Sequence, residues 1–194
     1  MSFLKLLFAF APWISFLIIA RDSLFRLKLG LVVAFVLVVV MGITRLHRGV
    51  ILWAGLVFFT YATAAVVLLN NMWTAQHMGV MANGALAVAT WLTIAIRKPF
   101  TLDYAREHTD PSLWDDPLFI WANVVIASVW GLAFSVNTIL AWGKMKHFIL
   151  SELGYEVISY TLLIGTAVFT TWYPNYLRRR RELEERELAS RQVE

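Results

Sequence analysis

The sequence predicts an all-α membrane protein, a polytopic bundle of about six transmembrane helices with both termini cytoplasmic. Three observations predict it. Six apolar runs, 3–20, 29–44, 49–69, 78–96, 118–142 and 155–173, take up most of the 194 residues, and short polar connections separate them. Each run is close to the roughly 20 mainly apolar residues needed to cross a hydrocarbon core of roughly 30 Å. The chain is 59% hydrophobic with a mean hydropathy of +0.65, so one bundle over residues 1–176 uses nearly all of it. Basic residues gather between the runs: Lys5, Arg45, Arg48, Arg97, Lys98 and Arg106 share a side with the arginine-rich tail, against Arg21, Arg26, Lys28, Lys144 and Lys146 opposite. By the positive-inside rule, both ends then lie in the cytoplasm.

Taken in order, the first run offers only Lys5 ahead of its apolar stretch, contains Pro12, and has no small-residue cleavage site after Ala20. It reads as a retained helix rather than a signal peptide. The connections 21–28 and 45–48 are so short that runs one to three form an antiparallel hairpin series. The second run is rich in valine, which lipid tolerates because a helix satisfies every backbone group internally. The third connection, 70–77, carries no charge and holds Trp73 at headgroup level. The fourth run stops at Pro99.

The longest connection, 97–117, is expected to lie along the membrane. Thr101 caps a short helix through Glu107, Asp110 and Pro111 start a further turn, and Asp116 caps the fifth run with Pro117 in its first turn. Phe100, Tyr104 and Trp114 are expected to lie flat against the interface. The sixth run gives way to a charged helical tail over 177–194, in which Arg178, Arg180 and Arg181 stand four residues before Glu182, Glu184 and Glu185. Arg178, Arg179, Arg180 and Arg181 are positioned to anchor anionic lipid headgroups.

Several chemistries find no support in the residues. The chain has no cysteine, which excludes disulfides, iron–sulfur clusters and thiol catalysis. Its formal charge of +4 comes from residues at span ends and not from a continuous basic face, so no nucleic-acid partner is expected. His47, His77, His108 and His147 all fall at or beyond span ends, where they cannot face one another as haem ligands. Glu156, near the start of the sixth run, is expected to pair with Lys144 or Lys146; the runs otherwise lack deep ionisable groups, which argues against proton-coupled transport. His108 lies among Asp103, Glu107, Asp110, Asp115 and Asp116, a loop able to do acid–base chemistry but without the spacing of a metal motif. No catalytic residue, cofactor or metal is assigned.

The fifth run carries the clearest pattern. Asn123, Ala127, Trp130, Phe134 and Asn137 share one helical stripe, beside small residues Ser128, Gly131, Ser135 and Thr138. Asparagines in lipid seek partners, and Asn83 on the fourth run or Thr161, Thr166 and Thr170 on the sixth are within helical reach. The stripe reads as interhelical hydrogen bonding or as a polar pocket lined by Asn83, Asn123, Trp130 and Asn137.

The opening Phe8-Ala-Phe-Ala-Pro12-Trp-Ile-Ser-Phe-Leu17, then Arg97-Lys-Pro99-Phe100, Trp114, Asn123 and Trp130-Gly-Leu-Ala-Phe134, resembles the bacterial septation protein A family or a sister group of it. The resemblance spreads over most of residues 1–180. It implies a small multi-pass protein of the bacterial inner membrane, acting in envelope maintenance or assembly, without catalytic residues or cofactor. The leading expectation is thus a non-enzymatic protein supporting envelope organisation or membrane-complex assembly. Its partners are membrane lipids, including anionic headgroups, and other membrane proteins or a second copy. The alternatives are a binder or carrier of a lipid or small neutral solute through the fifth-run stripe, and an interfacial enzyme using the 97–117 loop.

Overall fold

The structure, a computed structural model, describes residues 10–20, 23–44, 49–107 and 109–191. It is all-helical, with no strand among the described residues. The elements are α1 (Ala11–Ile19), α2 (Leu24–Ile43), α3 (Val50–Thr63) continuing as a π turn (Ala64–Leu68), α4 (Met72–Gln76), α5 (Met78–Ala95), α6 (Thr101–Arg106), a 3-10 turn (Pro111–Leu113), α7 (Pro117–Met145) and α8 (Glu152–Arg191). Five helices among the described residues are long and apolar enough to cross a membrane: α2, α3 with its π turn, α5, α7 and α8 through Glu184. The chain is thus a multi-pass membrane protein. Of the expected first span, only the part from Phe10 onward falls within the described residues.

Caps account for where the helices depart from the apolar runs. Ser23 accepts a hydrogen bond from the Arg26 backbone N–H at 3.2 Å, so α2 starts inside the expected 21–28 connection. Asn71 caps α4 by accepting from Thr74 N–H at 3.0 Å, which makes the 70–77 connection largely a helical turn. Lys28 donates to Asn70 Oδ1 and ties that turn to α2. Asp116 accepts from Leu118 N–H at 2.7 Å, with Pro117 in the first turn of α7, as expected. The tail is no separate segment, since α8 runs unbroken for 40 residues through Pro174.

Neighbouring helices pack in the order α1, α2, α3, α5, α7 and α8, with α6 against α7. Aromatic rings of α1 close this array. Trp13 stacks on Phe58 with centroids 5.1 Å apart, while Phe10 stacks on Trp130 of α7 at 5.4 Å. Helices α5 and α7 pack tightly where Gly131 lies under the Trp91 ring and Trp91 Nε1 donates to Ser135 Oγ at 3.1 Å.

Two expectations for the 97–117 loop are overturned. Phe100 and Tyr104 do not lie flat on the interface; they are 1% and 3% exposed, Phe100 with its ring centroid 6.3 Å from that of Phe10. Nor does Thr101 cap α6. It sits inside the helix, fully buried, and its hydroxyl donates to the Asn123 carbonyl at 2.8 Å, fixing α6 to α7. The cause is the backbone after α5: Arg97 adopts φ +57° and Lys98 N–H bonds back to Thr93 C=O at 2.8 Å, which turns the chain inward before Pro99.

Candidate functional site

Helix α7 carries the polar stripe, and its three polar members are all buried. They do not form one pocket. Trp130 donates from Nε1 to Thr170 Oγ1 at 2.9 Å, and that hydroxyl donates to the Thr166 carbonyl at 2.9 Å. Trp130 is therefore a satisfied packing residue linking α7 to α8. Asn123 and Asn137 lie 14 positions apart, about 21 Å along the helix axis, and open into different clefts.

The first cleft, of about 110 Å³, lies between α5, α7 and the start of α8, with Leu17 of α1 on one wall. Asn137 lines it together with Asn83, Lys144, Glu156 and Tyr160. Asn137 is 1% exposed, and neither its Nδ2 nor its Oδ1 has a hydrogen-bond partner among the described residues. Two of the three expected threonine partners are engaged elsewhere: Thr166 donates to Leu162 C=O at 2.9 Å, and Thr170 serves Trp130. Asn83 donates to its own helix, to Gly79 C=O at 2.9 Å. At the rim, Lys144 Nζ meets Glu156 Oε1 at 2.7 Å, the pairing the sequence predicts. Both groups are partly exposed, so the pair contributes no more than about 1 kcal/mol.

An unpaired buried amide costs about 1–3 kcal/mol per unsatisfied group. Asn137, on the wall of the cleft, keeps both a donor and an acceptor uncommitted among the described residues. At about 110 Å³ the cleft is well below the roughly 300 Å³ at which drug-sized pockets begin, so a guest is small. A neutral molecule with an amide or hydroxyl fits those terms, since both charges at the rim are already paired.

The second cleft, of about 260 Å³, lies between the first turns of α7 and the α8 stretch after Pro174. Asn123 lines it at 4% exposure; its Nδ2 donates to Phe119 C=O at 2.9 Å, and its Oδ1 has no partner among the described residues. Arg181 Nη1 donates to Asp116 Oδ2 at 2.9 Å across the mouth. That hydrogen bond, with the Leu118 N–H, holds the Asp116 carboxyl below the usual carboxylate range. A partner 65 positions away leaves no trace in the sequence; the side chain of Glu185, the match expected for Arg181, lies outside the described residues. Arg180 instead lies over the Tyr176 ring, 5.9 Å from its centroid.

The loop candidates receive separate tasks. Asp110 accepts from Ser112 N–H at 2.9 Å to cap the 3-10 turn, a bond that lowers its carboxyl from the ordinary range. Asp103 sits in the first turn of α6 with its carboxyl raised, chiefly by desolvation and against the pull of Arg106. Glu107 ends α6. His108 lies outside the described residues. Among the described residues no three of His, Asp and Glu gather as a metal-binding group. No family model, no curated protein and no solved structure matches this chain.

Proposed function

We propose that this multi-pass protein resides in the bacterial inner membrane with both termini cytoplasmic and, without catalysing a reaction, binds a small neutral polar molecule in the Asn83–Asn137 cleft. The observation that carries the reading is Asn137. A fully buried amide with neither polar atom satisfied stands against the strong tendency of buried polar groups to be paired, and a guest molecule resolves it. The test compares wild type with Asn137→Leu, each released from bacterial membranes in lipid nanodiscs for native mass spectrometry. A small molecule retained by wild type and lost from a folded Asn137→Leu supports the reading. Retention by neither, with Asn137→Leu the more stable protein, means the cleft holds only water and refutes it.

A second reading, support of envelope organisation or membrane-complex assembly, is favoured by α8. Only 17% of its apolar window is buried within the bundle, the lowest share of the five long helices, which leaves most of its apolar surface for lipid, another membrane protein or a second copy. The resemblance to septation protein A points the same way. Cross-linking from exposed α8 positions such as Ile164 and Trp172 tests it: protein adducts in membranes favour assembly, and lipid-only adducts count against it.

A further inference from the structure

The second cleft combines an apolar wall, a cationic mouth and one buried acceptor. Leu118 and Phe119 supply part of the wall, and Leu118 remains 37% exposed toward the outside of the bundle. Arg178 and Arg181 stand three positions apart on the same face of α8, at the mouth. Arg181 is matched by Asp116, whereas Arg178 has no ion-pair partner among the described residues. Among the described lining residues, two guanidinium groups against one carboxylate give a net charge of +1. Asn123, on its lining, has committed its amide N–H to Phe119 and holds a buried carbonyl oxygen without a partner among the described residues, which only a donor can satisfy.

We infer that this cleft is a built site for one anionic phospholipid whose headgroup carries hydroxyls, with the phosphodiester at Arg178 and a headgroup O–H donating to Asn123 Oδ1. One phosphodiester charge balances the uncompensated +1, and guanidinium is the side chain best shaped for phosphate oxygens. The cleft's 260 Å³ is below the roughly 300 Å³ at which drug-sized pockets begin, enough for a headgroup and the root of its chains. The acyl chains leave past the exposed Leu118 into the bilayer. The mouth stands at a span end, where headgroups lie, since Asp116 is the cap of α7. This differs from a diffuse arginine anchor, because Arg178 lines the cleft and its neighbour Arg179 does not. It is also independent of the Asn137 cleft.

The experiment uses the full chain in nanodiscs of equal phosphatidylglycerol and phosphatidylcholine, read by native mass spectrometry at increasing activation. Both lipids carry a phosphate, but choline offers no donor and its cation cancels the phosphate charge. The expected result is a single retained phosphatidylglycerol, held in preference to phosphatidylcholine. Arg178→Gln lowers that retention about tenfold, the loss of one charge-assisted hydrogen bond, while Arg179→Gln leaves it unchanged. Asn123→Leu lowers the preference for phosphatidylglycerol, leaving only the part set by net charge, and an unchanged preference overturns the hydroxyl contact. Equal loss from Arg178→Gln and Arg179→Gln, or displacement of the lipid by inorganic phosphate, overturns the proposal. Equal retention of the two lipids by wild type also overturns it, whether or not the variants fold.

Discussion

Gly131→Ala is the sharpest test of the α5–α7 contact. A Cβ at position 131 meets Trp91 Cε2 at 2.9 Å, Cζ2 at 3.1 Å and Cδ2 at 3.2 Å. Carbon pairs pack best at about 3.5–4.0 Å, so three ring atoms are overlapped at once. The indole cannot swing aside freely, because its Nε1 is held by Ser135 Oγ on the same helix as Gly131. Overpacking of this kind costs about 1–3 kcal/mol. Alanine in a helix returns about 0.5–1 kcal/mol relative to glycine, which leaves a net loss of up to about 2.5 kcal/mol and a deficit of about 1–3 kcal/mol against a site where only the gain applies. Gly165→Ala is the internal control, since a Cβ there meets nothing within 4 Å and only the helix gain remains. Reversible unfolding in mixed micelles, followed by tryptophan fluorescence, measures both. Gly131→Ala as stable as Gly165→Ala refutes the close packing, and a Gly131→Ala/Trp91→Leu double variant that regains the loss confirms its origin.

Thr170→Val removes the acceptor of the buried Trp130 N–H and is expected to destabilise the α7–α8 pair by about 0.6–2 kcal/mol in the same unfolding assay. Asn137→Leu, by contrast, breaks no hydrogen bond and is expected to leave stability unchanged or raise it. Acid should loosen the end of α8. Because Arg181 and the Leu118 N–H depress the Asp116 carboxyl, their stabilisation is fully present above about pH 4 and is lost as pH falls through the lowered value. Protection of the amides at 177–184, taken relative to their intrinsic exchange rates, should therefore fall in acid for wild type, and Asp116→Asn should remove that fall. His108→Ala is expected to leave small-molecule retention intact, and its loss would return the 97–117 loop to consideration.

The long apolar helices were legible because lipid imposes length and hydropathy together: runs 49–69 and 78–96 became Val50–Leu68 and Met78–Ala95. What hydropathy cannot see is capping, so α2 began earlier at Ser23 and α8 continued through the charged tail. Helical periodicity correctly put Asn123, Trp130 and Asn137 on one buried face. It could not tell that a span-length separation sends them to different neighbours. The loop aromatics misled for a related reason: Phe100 and Tyr104 suit an interface and a core equally, and only the inward turn at Arg97 decides.

The three polar links between α7 and α8 join Asp116 to Arg181, Trp130 to Thr170 and Lys144 to Glu156. On α7 they recur every 14 residues, about 21 Å, and so span almost the whole contact. Sliding by one turn, or parting the two helices, would break all three links together. A helix with so little buried surface is therefore held in register by polar contacts spread along its length rather than by packed area.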